Sequence, residues 1–256
     1  MAEETASGFD FSGLSAEVQK GVLPLFTEVL EGEGDNVHSF YVVGHAASAG
    51  QADFAGEEIN TLMLLKDLDF KFVKKLAPSG KAHGKRRLAP PVILTDKFVR
   101  ESAYAFPVEF LNYRHAHKTV YGEDIIGTVE IDKPALKQQC KRELATRLIT
   151  LRQEYLYSRG EAGALGGRCL AWSRPHMPVL RAVLFLMGTD PGALGDYEVL
   201  EKISAATGAD FMVFAEKHEK ERSPLRFLKA TAHHRNFEKI YEVTERLSHL
   251  INALKV

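Results

Sequence analysis

Apolar residues change their spacing part-way along this chain. Over residues 13–131 they form one helical stripe and then short unbroken runs; from residue 132 they recur at every third or fourth position. Leu14, Val18, Val22, Leu25, Phe26 and Val29 share one face of a helix over Leu14–Leu30, and Gly32 and Gly34 punctuate its end. Val37–Val43 predicts a strand, and Ile59–Leu65 predicts a second, buried on both faces. A helix over Asp69–Leu76, a short strand over Val92–Leu94 and a helix over Asp96–Ala105 follow. Val108–Leu111 and Thr128–Ile131 are expected to complete the sheet. The acidic, polar residues 1–12 read as a flexible tail.

The second stretch, 132–256, reads as helix after helix. Asp132 is placed to cap the first, whose stripe runs Leu136, Cys140, Leu144, Leu148, Leu151 and Tyr155. Further helices are expected near 164–172, 178–187, 196–206, 210–221 and 224–232. The last, over 236–254, carries Phe237, Ile240, Val243, Leu247, Leu250 and Leu254 on one face. The fold class expected is therefore a mixed α/β sheet domain over 13–131, followed by an all-α helical bundle over 132–256. Such stripes form packing seams in the first place.

Charge sharpens this division. The chain of 256 residues has a formal net charge of −1, yet residues 1–130 hold 13 Lys and Arg against 19 Asp and Glu, and residues 131–256 hold 20 against 15. An acidic unit and a basic one could attract each other, or the basic one could face an anionic partner. The two cysteines, Cys140 and Cys169, are too few for a disulfide framework and too far apart for a zinc site, which points to a reduced, cytoplasmic setting. The N-terminus has no leader character, and the most apolar run, Val179–Met187, is far short of the ~20 residues a membrane span requires.

Candidate chemistry concentrates between Tyr41 and Leu65. Gly44 and His45 follow the first strand, and Glu58 and Asn60 stand two apart at the head of the second, so their side chains point to one face. This arrangement resembles the nucleotidyltransferase fold, in its minimal and antibiotic-modifying branch, where Gly-Ser follows the first strand and Asp-x-Asp or Asp-x-Glu heads the next. The resemblance continues at Glu109, in the strand-like run Phe106–Tyr113, where the family has a third carboxylate. Tyr121 and Gly122 are similar to the Leu-Tyr-Gly turn that follows it. Together these short motifs span residues 15–130.

The resemblance implies a sheet domain that binds a nucleoside triphosphate near Gly44 and His45, and a bundle that shapes the acceptor pocket. Glu58 and Glu109 would hold Mg²⁺, and Glu58, Asn60 and Glu109 would be the catalytic set. Two departures weigh against turnover. Asn60 offers a neutral oxygen where Mg²⁺ asks for a carboxylate, and His45 replaces a small hydroxyl beside the phosphates. Asp53 is out of register with the strand pair. The implied function is a catalytically impaired nucleotidyltransferase-like protein that binds a nucleotide or serves as an interaction module. The alternatives are an active Mg²⁺-dependent enzyme transferring a nucleotidyl group to a hydroxyl, and a structural or regulatory partner of another protein that binds no nucleotide.

Other constellations add less. Lys81, His83, Lys85, Arg86 and Arg87 form a basic loop whose Lys85 and Arg86 could approach a triphosphate or an RNA backbone. Its glycine spacing is one residue short of a phosphate loop, and Arg86 stands where Ser or Thr must bind Mg²⁺. His115 and His117 would share a face if a strand continued through them, but no third metal ligand is near. Arg226 and His233 match the outer spacing limit of the helical HEPN ribonucleases, with Phe227 where active members carry a polar residue. No serine-nucleophile elbow, zinc-protease helix or dinucleotide glycine pattern occurs. With Trp172 as the one tryptophan, an aromatic platform for single-stranded nucleic acid has no direct support.

Overall fold

The computed structural model describes residues 8–48, 58–161, 165, 177–192, 194–214 and 230–255, with side chains from 235 onward in the last stretch. The chain divides into two compact units, one formed by Met1–Ala103 with Asn112–Glu130, the other by Tyr104–Leu111 with Ile131–Val256.

The first unit is built on a four-stranded sheet of order β3-β2-β1-β4, with β1 at Val37–Val43, β2 at Asn60–Leu65, β3 at Val92–Thr95 and β4 at His117–Gly122. β1 runs antiparallel to β2 and β4, and β2 runs parallel to β3, so the sheet is mixed. Helix α1 (Ala16–Glu33) starts where Ser15 Oγ accepts the Val18 amide, one of the donors a helix start leaves unpaired. Its buried Val18, Val22, Leu25, Phe26 and Val29 pack with Phe40, Val42, Met63 and Leu65 of the sheet. The expected stripe is thus the core seam. The Phe26 and Phe40 rings stack with centroids 4.5 Å apart. Short helices α2 (His45–Ser48), α3 (Phe70–Leu76), α4 (Gly80–Gly84) and α5 (Asp96–Ser102) fill the connections. Asp69 and Thr95 cap α3 and α5.

The second unit is helical over its described residues: α7 (Lys133–Tyr157), α8 (Met177–Leu186), α9 (Asp196–Thr207) and α10 (Ala230–Ala253). Asp132 caps α7 by accepting the Ala135 amide, as its position predicts. Leu136, Cys140, Leu144, Leu148 and Leu151 are buried, and Phe237, Ile240, Val243, Leu247 and Ile251 answer from α10. Tyr155, last in the expected stripe, is instead 37% exposed. The mixed sheet followed by helices is the architecture that the sequence led us to expect.

Four expectations are corrected. Val108–Leu111 is no strand; it lies in helix α6 (Pro107–His115), with Pro107, Val108, Phe110 and Leu111 buried. Pro107 at the first position presets a helical φ, and the buried Gln139 Oε1 accepts the Val108 amide at 2.9 Å. Thr128–Ile131 also stays out of the sheet, since Ile126–Thr128 is a 3₁₀ turn. The fourth strand is β4. The basic loop is partly helical, as α4. Finally, residues 8–12 are no free tail: the Asp10 amide donates to the Val120 carbonyl at 2.8 Å, and the Phe9 ring lies 6.5 Å from that of Phe40.

Candidate functional site

The antiparallel register places the ends of neighbouring strands together. Val43, the last residue of β1, lies opposite Asn60 at the head of β2 and opposite His117 at the head of β4. Residues directly opposite in an antiparallel pair share a face, so Asn60, Val43 and His117 form one row. On the far flank Ile59 bridges to Leu88; the Ile59 amide donates to the Arg87 carbonyl at 2.7 Å, and the Ala89 amide to the Ile59 carbonyl at 2.9 Å. With strands ~4.8 Å apart, the four columns span roughly 14 Å at one end of the sheet.

Gly44 closes β1 with φ at +72°, a conformation that favours glycine, and among the described residues no heavy atom lies within 4 Å of where a Cβ would stand. Its amide donates to the Ala116 carbonyl at 2.7 Å, and its carbonyl accepts the Ala47 amide at 2.9 Å. Among the described residues the turn therefore leaves room beside the Gly44 backbone. His45 begins α2 and is exposed. Glu58 and Asn60 are exposed while Ile59 between them is 1% exposed, the alternation that a strand end imposes.

The remaining site residues expected from the sequence lie on other elements. Glu109 stands on α6 and belongs to the second unit, where its Oε2 accepts the Gln139 Nε2–H at 2.8 Å. A neighbouring sheet strand does not carry it. Lys85 follows α4 and is exposed. Arg86 donates to the Ala82 carbonyl at 3.1 Å, and Arg87 pairs with Glu17 of α1 at 2.9 Å. His115 ends α6 and His117 begins β4, so the two do not share a strand face. Asp53, Cys169, Trp172 and Arg226 lie outside the described residues, as do the helices expected at 164–172 and 224–232 in all but Leu165 and residues 230–232; the His233 side chain is likewise outside them.

Sequence reasoning missed the network that edges this site. His117 Nδ1 sits 3.0 Å from both the Tyr113 and Arg114 carbonyl oxygens, and Nε2 sits 3.0 Å from Asp124 Oδ1. Asp124 Oδ1 also accepts the Gly127 amide at 2.9 Å. The Tyr41 ring meets His117 edge-on at 5.8 Å. Tyr41 itself is wholly buried; its hydroxyl donates to the Glu123 carbonyl at 2.7 Å, accepts the Ile125 amide at 3.0 Å and lies 2.8 Å from Ser39 Oγ. Burial raises the Tyr41 pKa against the lowering effect of its hydrogen bonds. No spacing rule would have found this network, because its members come from β1, α6, β4 and a loop 82 residues downstream of Tyr41.

As a metal site, the described part of the sheet end is poorly furnished. Glu58 supplies one carboxylate and Asn60 one neutral oxygen, whereas Mg²⁺ is held through carboxylates and phosphates. Among the described residues no group of three or more His, Cys, Asp and Glu is placed to hold a metal ion. These donors do not fit a resident Mg²⁺.

No protein-family model matches the sequence, and none of the curated proteins does. Among solved structures the chain is similar to a spectinomycin adenyltransferase from Enterococcus faecialis, solved with ATP and spectinomycin. The two are 11% identical, with a TM-score of 0.46 over 94% of this chain and 100% of that one. No helix among the described residues is long and apolar enough to cross a membrane.

Proposed function

We propose that the first unit binds a nucleoside triphosphate at the sheet end without turning it over. The observation that carries the reading is the open turn at Gly44, set beside a strand head that presents Glu58 and Asn60 to solvent. A backbone without a side chain lets phosphate oxygens approach closely. Lys85 and Arg86, joined to this end through the Ile59–Leu88 bridge, supply positive charge nearby. Nucleotidyl transfer asks for more: charge neutralisation and activation of the attacking oxygen, normally by Mg²⁺ on clustered carboxylates. Here Asn60 breaks the carboxylate pair and Glu109 is engaged by Gln139. Any Mg²⁺ would arrive on the triphosphate and find Glu58 as its main protein ligand.

The test is calorimetric titration with ATP, GTP, CTP and UTP, with and without Mg²⁺, on the whole chain and on Glu58→Ala. Binding strengthened by Mg²⁺ and lost in the variant is expected, with no pyrophosphate released. Silence with every triphosphate would refute the reading. Pyrophosphate release in the presence of a hydroxyl acceptor would favour the active-enzyme alternative. Asn60→Asp then separates the two: a degenerate site gains metal affinity, whereas an adapted active site loses turnover or barely changes it.

A further inference from the structure

We infer that the surface formed by α3, α4 and the residues linking them to β3 binds single-stranded RNA. Residues 66–87 carry eight Lys and Arg against two Asp, while the rest of the stretch 1–130 carries five against seventeen acidic residues. Positive charge in this half of the chain is thus gathered into one segment. Its contacts show how that segment lies. Lys75 pairs with Glu33 at 2.8 Å, His83 with Glu28 at 3.0 Å and Arg87 with Glu17 at 2.9 Å. Residues 75–87 therefore run back along α1 from its C-terminal end towards its start, over about 24 Å at 1.5 Å per residue.

The pairing sorts the cations into two sets. Lys75 and Arg87 are tied to carboxylates of α1, beside the His83–Glu28 hydrogen bond, and Lys66 donates to the Asp35 carbonyl at 2.7 Å. Lys71, Lys74, Lys81, Lys85 and Arg86 are exposed and have no carboxylate in ion-pair range among the described residues. Asp69, the nearest acid in sequence, uses its carboxylate to cap α3, accepting the Lys71 and Phe72 amides. Five uncompensated cations along such a strip form a track for a polyanion. Phe70 adds a second, independent feature. It is 68% exposed, with Lys74 Nζ 5.4 Å from its ring centroid, so an apolar face stands in solvent beside a cation. Such a pair suits a stacked base with its phosphate alongside.

The same features select among polyanions. Duplex DNA is read by an element that fills a groove, whereas the helical run from α3 through the 3₁₀ turn Ala77–Ser79 into α4 lies against α1, held by the Lys75–Glu33, Ser79–Glu28 and His83–Glu28 contacts. An anionic membrane is met by a long amphipathic helix with several apolar anchors, whereas Phe70 stands alone on α3 as an exposed large apolar side chain among the described residues. An acidic polypeptide would engage the cations but has no use for the ring. The strip shares Lys85 and Arg86 with the triphosphate reading but needs neither Gly44 nor Glu58, and the variants below leave Lys85 and Arg86 in place.

Fluorescence anisotropy with a labelled 20-nucleotide oligouridylate tests it on the whole chain, from 50 to 200 mM KCl. Four phosphate contacts on a single strand predict a salt slope near −2.8 and a loss of about 50-fold in affinity over that range. The triple variant K71Q/K74Q/K81Q should cut the slope by about 2 and weaken binding at 50 mM by at least about tenfold. Phe70→Ala, at an exposed site that packing does not hold, should cost at least about fivefold. Lys202→Gln in the second unit and Glu58→Ala should each leave binding within about twofold of wild type. Absence of binding at 50 mM, or binding unchanged in both the triple variant and Phe70→Ala, would overturn the inference. So would tighter binding to polyglutamate or to phosphatidylserine vesicles than to the RNA.

Discussion

Replacing Tyr41 by Phe removes one oxygen atom and tests how the edge of the candidate site is held. The ring is fully buried in β1, and its hydroxyl bonds the Glu123 carbonyl, the Ile125 amide and Ser39 Oγ. Phe fills nearly the same space, so the cost comes from groups left behind. Ser39 is wholly buried and would keep only a long 3.4 Å contact to His38 Nδ1, so the loss of its 2.8 Å partner should cost about 1–2 kcal/mol. Glu123 and Ile125 lie nearer the surface, where water replaces much of what is lost, and the Ile125 amide keeps a contact to the Glu123 carbonyl at 3.1 Å. Those two add about 0.5 kcal/mol each. The total is about 2–3 kcal/mol. With a urea m-value of about 2 kcal/mol/M for a unit of this size, the midpoint of the sheet unit's unfolding should fall by about 1 M. Far-UV circular dichroism reads it, and hydrogen exchange should quicken at the Ile125 amide. Ser39→Ala combined with Tyr41→Phe should show a coupling of at least about 0.5 kcal/mol. A midpoint shift below about 0.25 M, or strict additivity of the two changes, would refute the account of the hydroxyl as the pin of this loop.

Two glycines with similar φ separate strain from crowding. Gly122→Ala would place a Cβ 2.0 Å from the His38 carbonyl oxygen at φ +77°, and should lower stability by more than about 3 kcal/mol. Gly44→Ala, with open space at φ +72°, should cost only about 1 kcal/mol; equal melting temperatures for the two variants would contradict this. Gln139→Leu removes the acceptor of the buried Val108 amide and the donor to Glu109, and should destabilise the helical unit by about 2 kcal/mol in urea. A change below about 0.5 kcal/mol would mean that packing alone seats α6. Burial pushes the Cys140 thiol up to about 12. Because the folded form holds the neutral thiol above an unfolded value of about 8.5, the stabilisation is complete below that pH and is lost as pH climbs towards the folded value. In a Cys169→Ser background, thiol reagents at pH 8 should modify Cys140 only at the rate of unfolding; prompt labelling would contradict the burial.

Long, regular elements were legible in the sequence and short ones were not. α1, α7 and α10 repeat their apolar positions over several turns, so the period itself decides helix, and β1 and β2 are runs of mostly buried residues. Around Val108 four apolar residues in five positions fit either period, and the choice fell to Pro107 and to Gln139, 31 residues away from Val108. β4 escaped notice because His117, Lys118 and Thr119 open it with polar side chains, which an edge strand tolerates and a sequence pattern disguises. At the candidate site, Gly44, Glu58 and Asn60 could be placed because strand register follows from the apolar runs. The Tyr41 and His117 partners could not, since a side chain's choice of a distant carbonyl leaves no trace in local spacing. The division of the basic residues into paired and unpaired sets was equally hidden, because it depends on which face α1 turns to α3 and α4.

The seating of residues 8–12 bears on how this protein behaves as a material. β4 ends the sheet on one side, and a strand at a sheet's end offers its unpaired amides and carbonyls to any other chain. The Asp10 amide takes the Val120 carbonyl, and the Asp10 carboxylate binds Lys118. Phe9 then folds over Phe40 and Tyr121 at ring distances of 6.5 and 5.9 Å. This short stretch works as a selvedge, finishing a margin that would otherwise fray into contacts with its neighbours. A chain shortened to begin at Gly13 would expose both the hydrogen-bonding groups of β4 and the aromatic cluster beneath. Its first symptom should be self-association rather than unfolding, visible as concentration-dependent scattering in samples whose circular dichroism is still native.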